Sequence, residues 1–209
     1  IAGGSSKAGK PLMAKDGWNS NGGGYDTYSF AALPGGARNE DGEYVLLGEQ
    51  GSFWLASEEA FRFVVNNLPL YIAPNNRGRG LSVRCLKDAG QSLSSSSQSG
   101  VNSSSSGKVS VELGTFTDSR DGQTYKTVKI GDQVWMAQNL NFKTDSSFCY
   151  NDEEANCTKY GRHYKWAAAV GKSESECGYG NECSLPSGDI QGACPSGWHL
   201  PSKTEWETL

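Results

Sequence analysis

The sequence predicts an α+β fold of short antiparallel strands, one or two helices and long loops. Three observations carry that expectation. Of 209 residues, 27 are glycine, 9 are tyrosine and 6 are tryptophan, and few stretches show a long helical period; such a chain builds short strands joined by turns. Thr124–Ile130 alternates in polarity and is followed by Gly131-Asp132 and then by Gln133–Met136. Two strands about a two-residue glycine-containing turn form a β-hairpin. Finally, Ser202-x-x-Glu205 is a capping box, in which the serine oxygen takes an orphan N–H of the first helical turn and the glutamate reaches back to the cap. Trp206 and Leu209, three apart, then share the buried face of that helix.

Taken in order, residues 1–90 hold no predicted long helix. Residues 16–24 are glycine- and asparagine-rich loop. Residues 30–33 read as a short buried strand ended by Pro34-Gly35-Gly36, and residues 39–42 as a turn before a strand at 44–47. Further strands are expected at 53–56 and 61–65, whereas Pro69 and Pro74 weaken any strand between them. In residues 81–86, Leu81, Val83 and Cys85 fall on one face, the pattern of a half-buried strand.

Residues 91–107 change character, since ten of the seventeen are serine. Such a tract cannot bury enough apolar surface to offset chain entropy, so it reads as a disordered linker and a domain boundary. Beyond it, residues 108–209 carry the hairpin, an acidic segment (Asn151-Asp152-Glu153-Glu154) bracketed by Cys149 and Cys157, and a short alanine-rich helix at 164–170 stopped by Gly171. Cys177 and Cys183 then bracket Gly178-Tyr179-Gly180. The chain begins on Ile1 and stops two turns into its last helix, so it reads as a piece of a longer protein.

Composition narrows the function classes. A net charge of -4 and a pI of about 5.3 leave no electrostatic footprint for nucleic acid. No apolar run approaches the roughly 20 residues of a membrane span, and no signal peptide is visible. None of the six cysteines forms a C-x-x-C, and His163 and His199 do not complete a zinc spacing. An even cysteine count in serine- and turn-rich sequence points to disulfides and an oxidising compartment, although spacing alone leaves the pairing open.

Residues 125–141 resemble the opening of the Fibrobacter succinogenes major paralogous domain. So do Cys149-Tyr150-Asn151-Asp152-Glu153, Tyr160-Gly161-Arg162, Trp166-Ala167-Ala168-Ala169 and the stretch 194–202. Gly17-Trp18-Asn19, residues 30–36, Phe53-Trp54 and residues 81–85 resemble the second half of the same domain. The order is inverted: the chain resembles the tail of one repeat, a serine linker and the head of the next, so adjacent repeats are expected partners. The two segments are expected to be able to pack as one circularly permuted domain. Seventeen flexible residues have a typical span of about 21–25 Å and a limit near 60 Å, against a radius of gyration of about 16 Å for the body, so geometry does not forbid closure.

The family in turn resembles C-type-lectin-like and formylglycine-generating-enzyme-like folds, through residues 200–206 and the closing stretch 81–85. That resemblance implies a Cys85–Cys194 bridge, with local pairs Cys149–Cys157 and Cys177–Cys183. The oxidising enzymes of the fold use two cysteines just before the last strand, and residues 58–80 contain none. A non-catalytic extracellular or cell-surface module, with plant or surface polysaccharide as its candidate ligand, is therefore the expected function; the alternatives are a degenerate enzyme of the same fold and a structural spacer repeat. No cofactor is expected. Asp152, Glu153 and Glu154, or Asp16 with Asn19 and Asp26, are the candidate oxygen ligands for calcium, although no spacing here matches a known calcium loop. Most tryptophans are expected in the core, with Trp18, in its glycine-rich loop, the candidate ligand-facing ring. His199, between Trp198 and Leu200, is expected to be packed and hydrogen-bonded.

Overall fold

The computed structural model describes residues 9–64, 67–90 and 111–209. The serine-rich stretch at 91–107 lies outside the described residues, and so does the disordered-linker expectation placed on it. Strands β1 (Ala37–Arg38), β2 (Tyr44–Val45), β3 (Gln50–Trp54), β4 (Glu59–Val64), β5 (Asn67–Pro74), β6 (Leu81–Ser82) and β7 (Leu86–Lys87) precede that stretch. Strands β8 (Glu112–Thr117), β9 (Thr124–Ile130), β10 (Gln133–Met136), β11 (Ser147–Phe148), β12 (His163–Tyr164) and β13 (Trp198–His199) follow it. The helices are α1 (Gly9–Leu12), α2 (Glu154–Tyr160), α3 (Trp166–Ala169), α4 (Glu174–Cys177) and α5 (Lys203–Thr208).

The fold is α+β. One sheet has the order β13-β7-β10-β9-β8 and another β11-β12-β6-β3-β4-β5, with β1 and β2 forming a small third sheet. Among the described strands every pairing is antiparallel except β3 with β6. The β9–β10 hairpin closes on Ile130 opposite Gln133, and Gly131 takes φ +61°, the conformation a primed turn requires at its first central position. Five helices occur among the described residues where one or two were expected, the longest spanning 7 residues. Helices of one or two turns leave no periodic signal and hold only through caps and tertiary contacts. Both capping boxes, Ser173/Glu176 on α4 and Ser202/Glu205 on α5, supply such support.

Residues 81–87 link the two large sheets. β6 lies between β12 and β3, and β7 between β13 and β10, so this stretch of the first segment runs among strands of the second. Between β6 and β7, the Val83 carbonyl accepts from Leu140 N–H at 2.9 Å and the Cys85 carbonyl from Met136 N–H at 3.0 Å. All six residues from Leu81 to Leu86 are buried, not one face alone, because both sides are covered. The outward-alternating Arg84 is thereby trapped in the interior. It donates to the Phe30 carbonyl, the Ala31 carbonyl (3.3 Å) and Asn139 Oδ1, and its guanidinium lies 4.5 Å from the Phe30 ring centroid. Burial pulls its pKa down to about 9, which still leaves it charged at neutral pH.

That cation explains why residues 30–33 are not a strand. Ala31 adopts φ +52° with its N–H on Asp26 Oδ1 at 2.8 Å, and the bend accompanies carbonyls turned onto Arg84. Only Ala32 keeps a bridge, to Met13. Conversely, β5 runs through Pro69 because it is an edge strand with an irregular register between the pairs Val64–Asn67 and Arg62–Tyr71, where a missing N–H is tolerated.

Aromatic residues of both segments fill the core. Trp206 stacks on Phe61 with centroids 4.4 Å apart and meets Trp135 at 4.8 Å, Phe53 at 5.6 Å and Phe30 at 5.8 Å. A second cluster surrounds the Cys85–Cys194 disulfide with Trp54, Trp166 and Trp198. This bridge joins residues 109 apart. Constraining so long a loop in the unfolded chain stabilises by about 4–5 kcal/mol in the chain-entropy account. Replacing both Cys85 and Cys194 with alanine is therefore expected to lower the unfolding free energy by about 4–5 kcal/mol, read by denaturant titration with the two short-loop disulfides intact.

Candidate functional site

The capping box that starts α5 also builds a cluster of charged side chains. Glu205 Oε2 accepts from Ser202 N–H and from Ser202 Oγ–H, each at 2.8 Å. Its other oxygen, Oε1, is 3.0 Å from His199 Nε2, and His199 Nδ1 is 2.7 Å from Asp88 Oδ1. β13 and the residue after β7 thus bring an imidazole between two carboxylates. The ring is 3% exposed. Burial disfavours its charged form, but the hydrogen bonds to Glu205 and Asp88 outweigh that and raise its pKa to about 9. Burial likewise opposes the Glu205 charge, and the bonds from His199 and Ser202 still hold its carboxyl below the usual range. Asp189 completes a group with His199 and Glu205 whose ligating atoms all lie within 4.8 Å of one another. The cluster opens onto a cleft of about 370 Å³ bordered by Lys87, Gln133 and Lys129.

A second feature is a loop pinned at both ends. The Cys177–Cys183 disulfide closes a turn in which Tyr179 stands 72% exposed between Gly178 and Gly180. Asn181 Nδ2 donates to the Glu174 carbonyl at 2.8 Å, and Arg77 Nη1 donates to the Asn181 carbonyl at 2.6 Å. Arg77 is itself held by an ion pair with Glu58 and by the Trp166 ring, 4.8 Å away. Tyr179 flanks Gly78, where an added Cβ would lie 3.2 Å from Asn76 Oδ1, 3.6 Å from Glu40 Cβ and 3.9 Å from Tyr179 Cβ. Glu40 pairs with Arg79 at 2.8 Å. The result is an exposed aromatic ring on a braced loop, with Gly78, Asn76 and Glu40 near its base.

All six cysteines are paired: Cys85–Cys194, Cys149–Cys157 and Cys177–Cys183. The sulfurs near Glu154 are therefore consumed and offer no thiolate to a metal. Trp18, the expected ligand-facing ring, is corrected to a core residue at 7% exposure. Its loop folds inward, with Asn19 N–H on the Gly48 carbonyl at 2.7 Å, and the indole joins the cluster of Phe30, Phe53 and Trp206. The acidic calcium candidates are engaged by protein groups: Asp152 accepts from Tyr44 Oη–H at 2.5 Å, Glu154 pairs with Arg162 at 2.9 Å, and Asp26 holds the Ala31 N–H. Asp16 and Asp26 join no three-ligand group among the described residues. Burial pulls His163 down to about 4, leaving it neutral. Sequence reasoning missed Asp88, Asp189, Arg77 and Tyr179; only Tyr179 carried a local signal, an aromatic between glycines inside a short cysteine-bounded loop.

Residues 128–209 match the family model of the Fibrobacter succinogenes major domain. The match covers 82 of the chain's 209 residues, and that segment is similar to the family. No curated protein and no solved structure gives a significant match to the chain. The Fibrobacter succinogenes major domain segment contributes Tyr179, Asp189, His199 and Glu205, whereas Arg77 and Asp88, which brace them, stand before it in the chain.

A raised His199 pKa sets a pH dependence. With about 6.5 in the unfolded chain and about 9 folded, the clamp contributes fully below pH 6.5 and is lost as pH rises toward 9. Thermal unfolding followed from pH 6 to 9.5 is expected to show a loss on the order of 2–3 kcal/mol, and His199→Gln to remove that slope.

Proposed function

We propose that the protein is a non-catalytic extracellular or cell-surface module that binds polysaccharide through the face centred on Tyr179. One observation carries the reading: a 72%-exposed tyrosine on a loop braced by a disulfide and by Arg77. An aromatic ring offers a flat apolar face to the C–H side of a sugar ring while its hydroxyl stays available for hydrogen bonding. Asn181 on the same loop and, beside Gly78, Asn76 and the Glu40–Arg79 pair offer donors and acceptors suited to sugar hydroxyls. Bracing the loop in advance reduces the ordering entropy that binding would otherwise cost. Three disulfides agree with an oxidising, extracellular setting.

On this reading the chain is the tail of one module closed on the head of another, in a C-type-lectin-like arrangement. The insertion of β7 between β13 and β10, together with the family match over 128–209, supports it. Both faces of interest then need residues from the two segments, so neither half-module would bind alone.

Sedimentation with insoluble cellulose and affinity electrophoresis in xylan test the proposal. Tyr179→Ala is expected to weaken retention about tenfold, or 1.4 kcal/mol, with an unchanged circular dichroism spectrum. Equal retention of Tyr179→Ala and the unaltered chain, or no retention of either, would overturn it in favour of a spacer role.

A further inference from the structure

We propose that Asp189, His199 and Glu205 form a binding site for a single zinc-class divalent cation, independent of the sugar-binding face. One nitrogen and two carboxylate oxygens converge there within 4.8 Å of one another. Zinc bonds of about 2.0–2.2 Å, spread at the tetrahedral angle, set nitrogen and oxygen ligands about 3.4 Å apart. His199 Nε2 and Glu205 Oε1 are 3.0 Å apart, so admitting the ion needs a movement of a few tenths of an ångström. The ion takes the place of the proton on Nε2, which passes to solvent.

The surroundings are those of a supported metal ligand. Asp88 faces Nδ1 at 2.7 Å, which fixes the tautomer that leaves the Nε2 lone pair for a metal. Glu205 Oε2 is anchored by Ser202 N–H and Oγ–H, which aims Oε1 at the imidazole. Asp189 is exposed, so its carboxylate swings onto the ion without disturbing the core. The open cleft leaves room for water in the remaining coordination position.

Charge favours occupancy as well. Five carboxylates, Asp88, Glu112, Asp132, Asp189 and Glu205, border the cleft against Lys87, Lys129 and the His199 imidazole whose proton the ion replaces. The imidazole selects among cations: it suits zinc and its neighbours, whereas calcium and magnesium call for all-oxygen shells. The cysteines offer no competing ligand while their disulfides stand.

Isothermal titration of the chelator-treated, disulfide-intact chain with zinc chloride, without reductant, tests the site. The expected result is one ion per chain at micromolar affinity, with no comparable uptake of calcium. Asp189→Asn, an exposed substitution that leaves the clamp in place, is expected to weaken zinc binding at least tenfold while the metal-free melting temperature stays unchanged. Asp88→Asn is expected to cost about 10–100-fold through the orientation of His199. No zinc uptake at millimolar concentration, or equal affinity in the unaltered chain and Asp189→Asn, would overturn the proposal.

Discussion

The burial of residues 81–87 between two sheets is the constraint on which the rest of the structure depends. This stretch lends two residues to each large sheet, and its carbonyls receive N–H groups from residues more than fifty positions downstream. Cys85 fixes it covalently to Cys194, and Arg84 carries a charge into the interior. A guanidinium there is tolerable only because backbone and amide oxygens surround it, since an unsatisfied buried charge costs several kcal/mol. The loop at 26–32 is bent to provide those oxygens. Packing thus dictates a local conformation that the residues themselves would not choose.

The same crossing positions the chemistry. Asp88 follows β7 directly and is carried to His199, while the Ser202 cap fixes Glu205 on the other side of the ring. On a different face, Arg77 precedes β6 and bridges to the disulfide loop that holds Tyr179. Each face combines a segment before the serine-rich stretch with one after it. Rigid elements set both, so neither must order itself on meeting a ligand, which limits the entropic cost of binding.

How much was legible depended on the range of the interaction. The β9–β10 hairpin and the α5 cap are written in Gly131-Asp132 and in Ser202 with Glu205, residues at most three apart, and the structure has them where the sequence puts them. The disulfide pairing followed from family resemblance, because spacing alone left it open. The strand expected at 30–33 is absent because Ala31 answers to Asp26 and Arg84, not to its own propensity. Trp18 was expected outside for the company it keeps in sequence, yet its loop closes over the core. Asp88 and His199 are 111 residues apart, and no periodicity announces such a meeting.

Peptide mapping of the intact, non-reduced chain by mass spectrometry tests the central claim most directly, namely that residues 81–87 are locked into the later segment. The account predicts a peptide pair joined through Cys85 and Cys194, beside the short-range pairs Cys149–Cys157 and Cys177–Cys183. Free thiols at Cys85 and Cys194, or a bridge from either to another molecule, would contradict it.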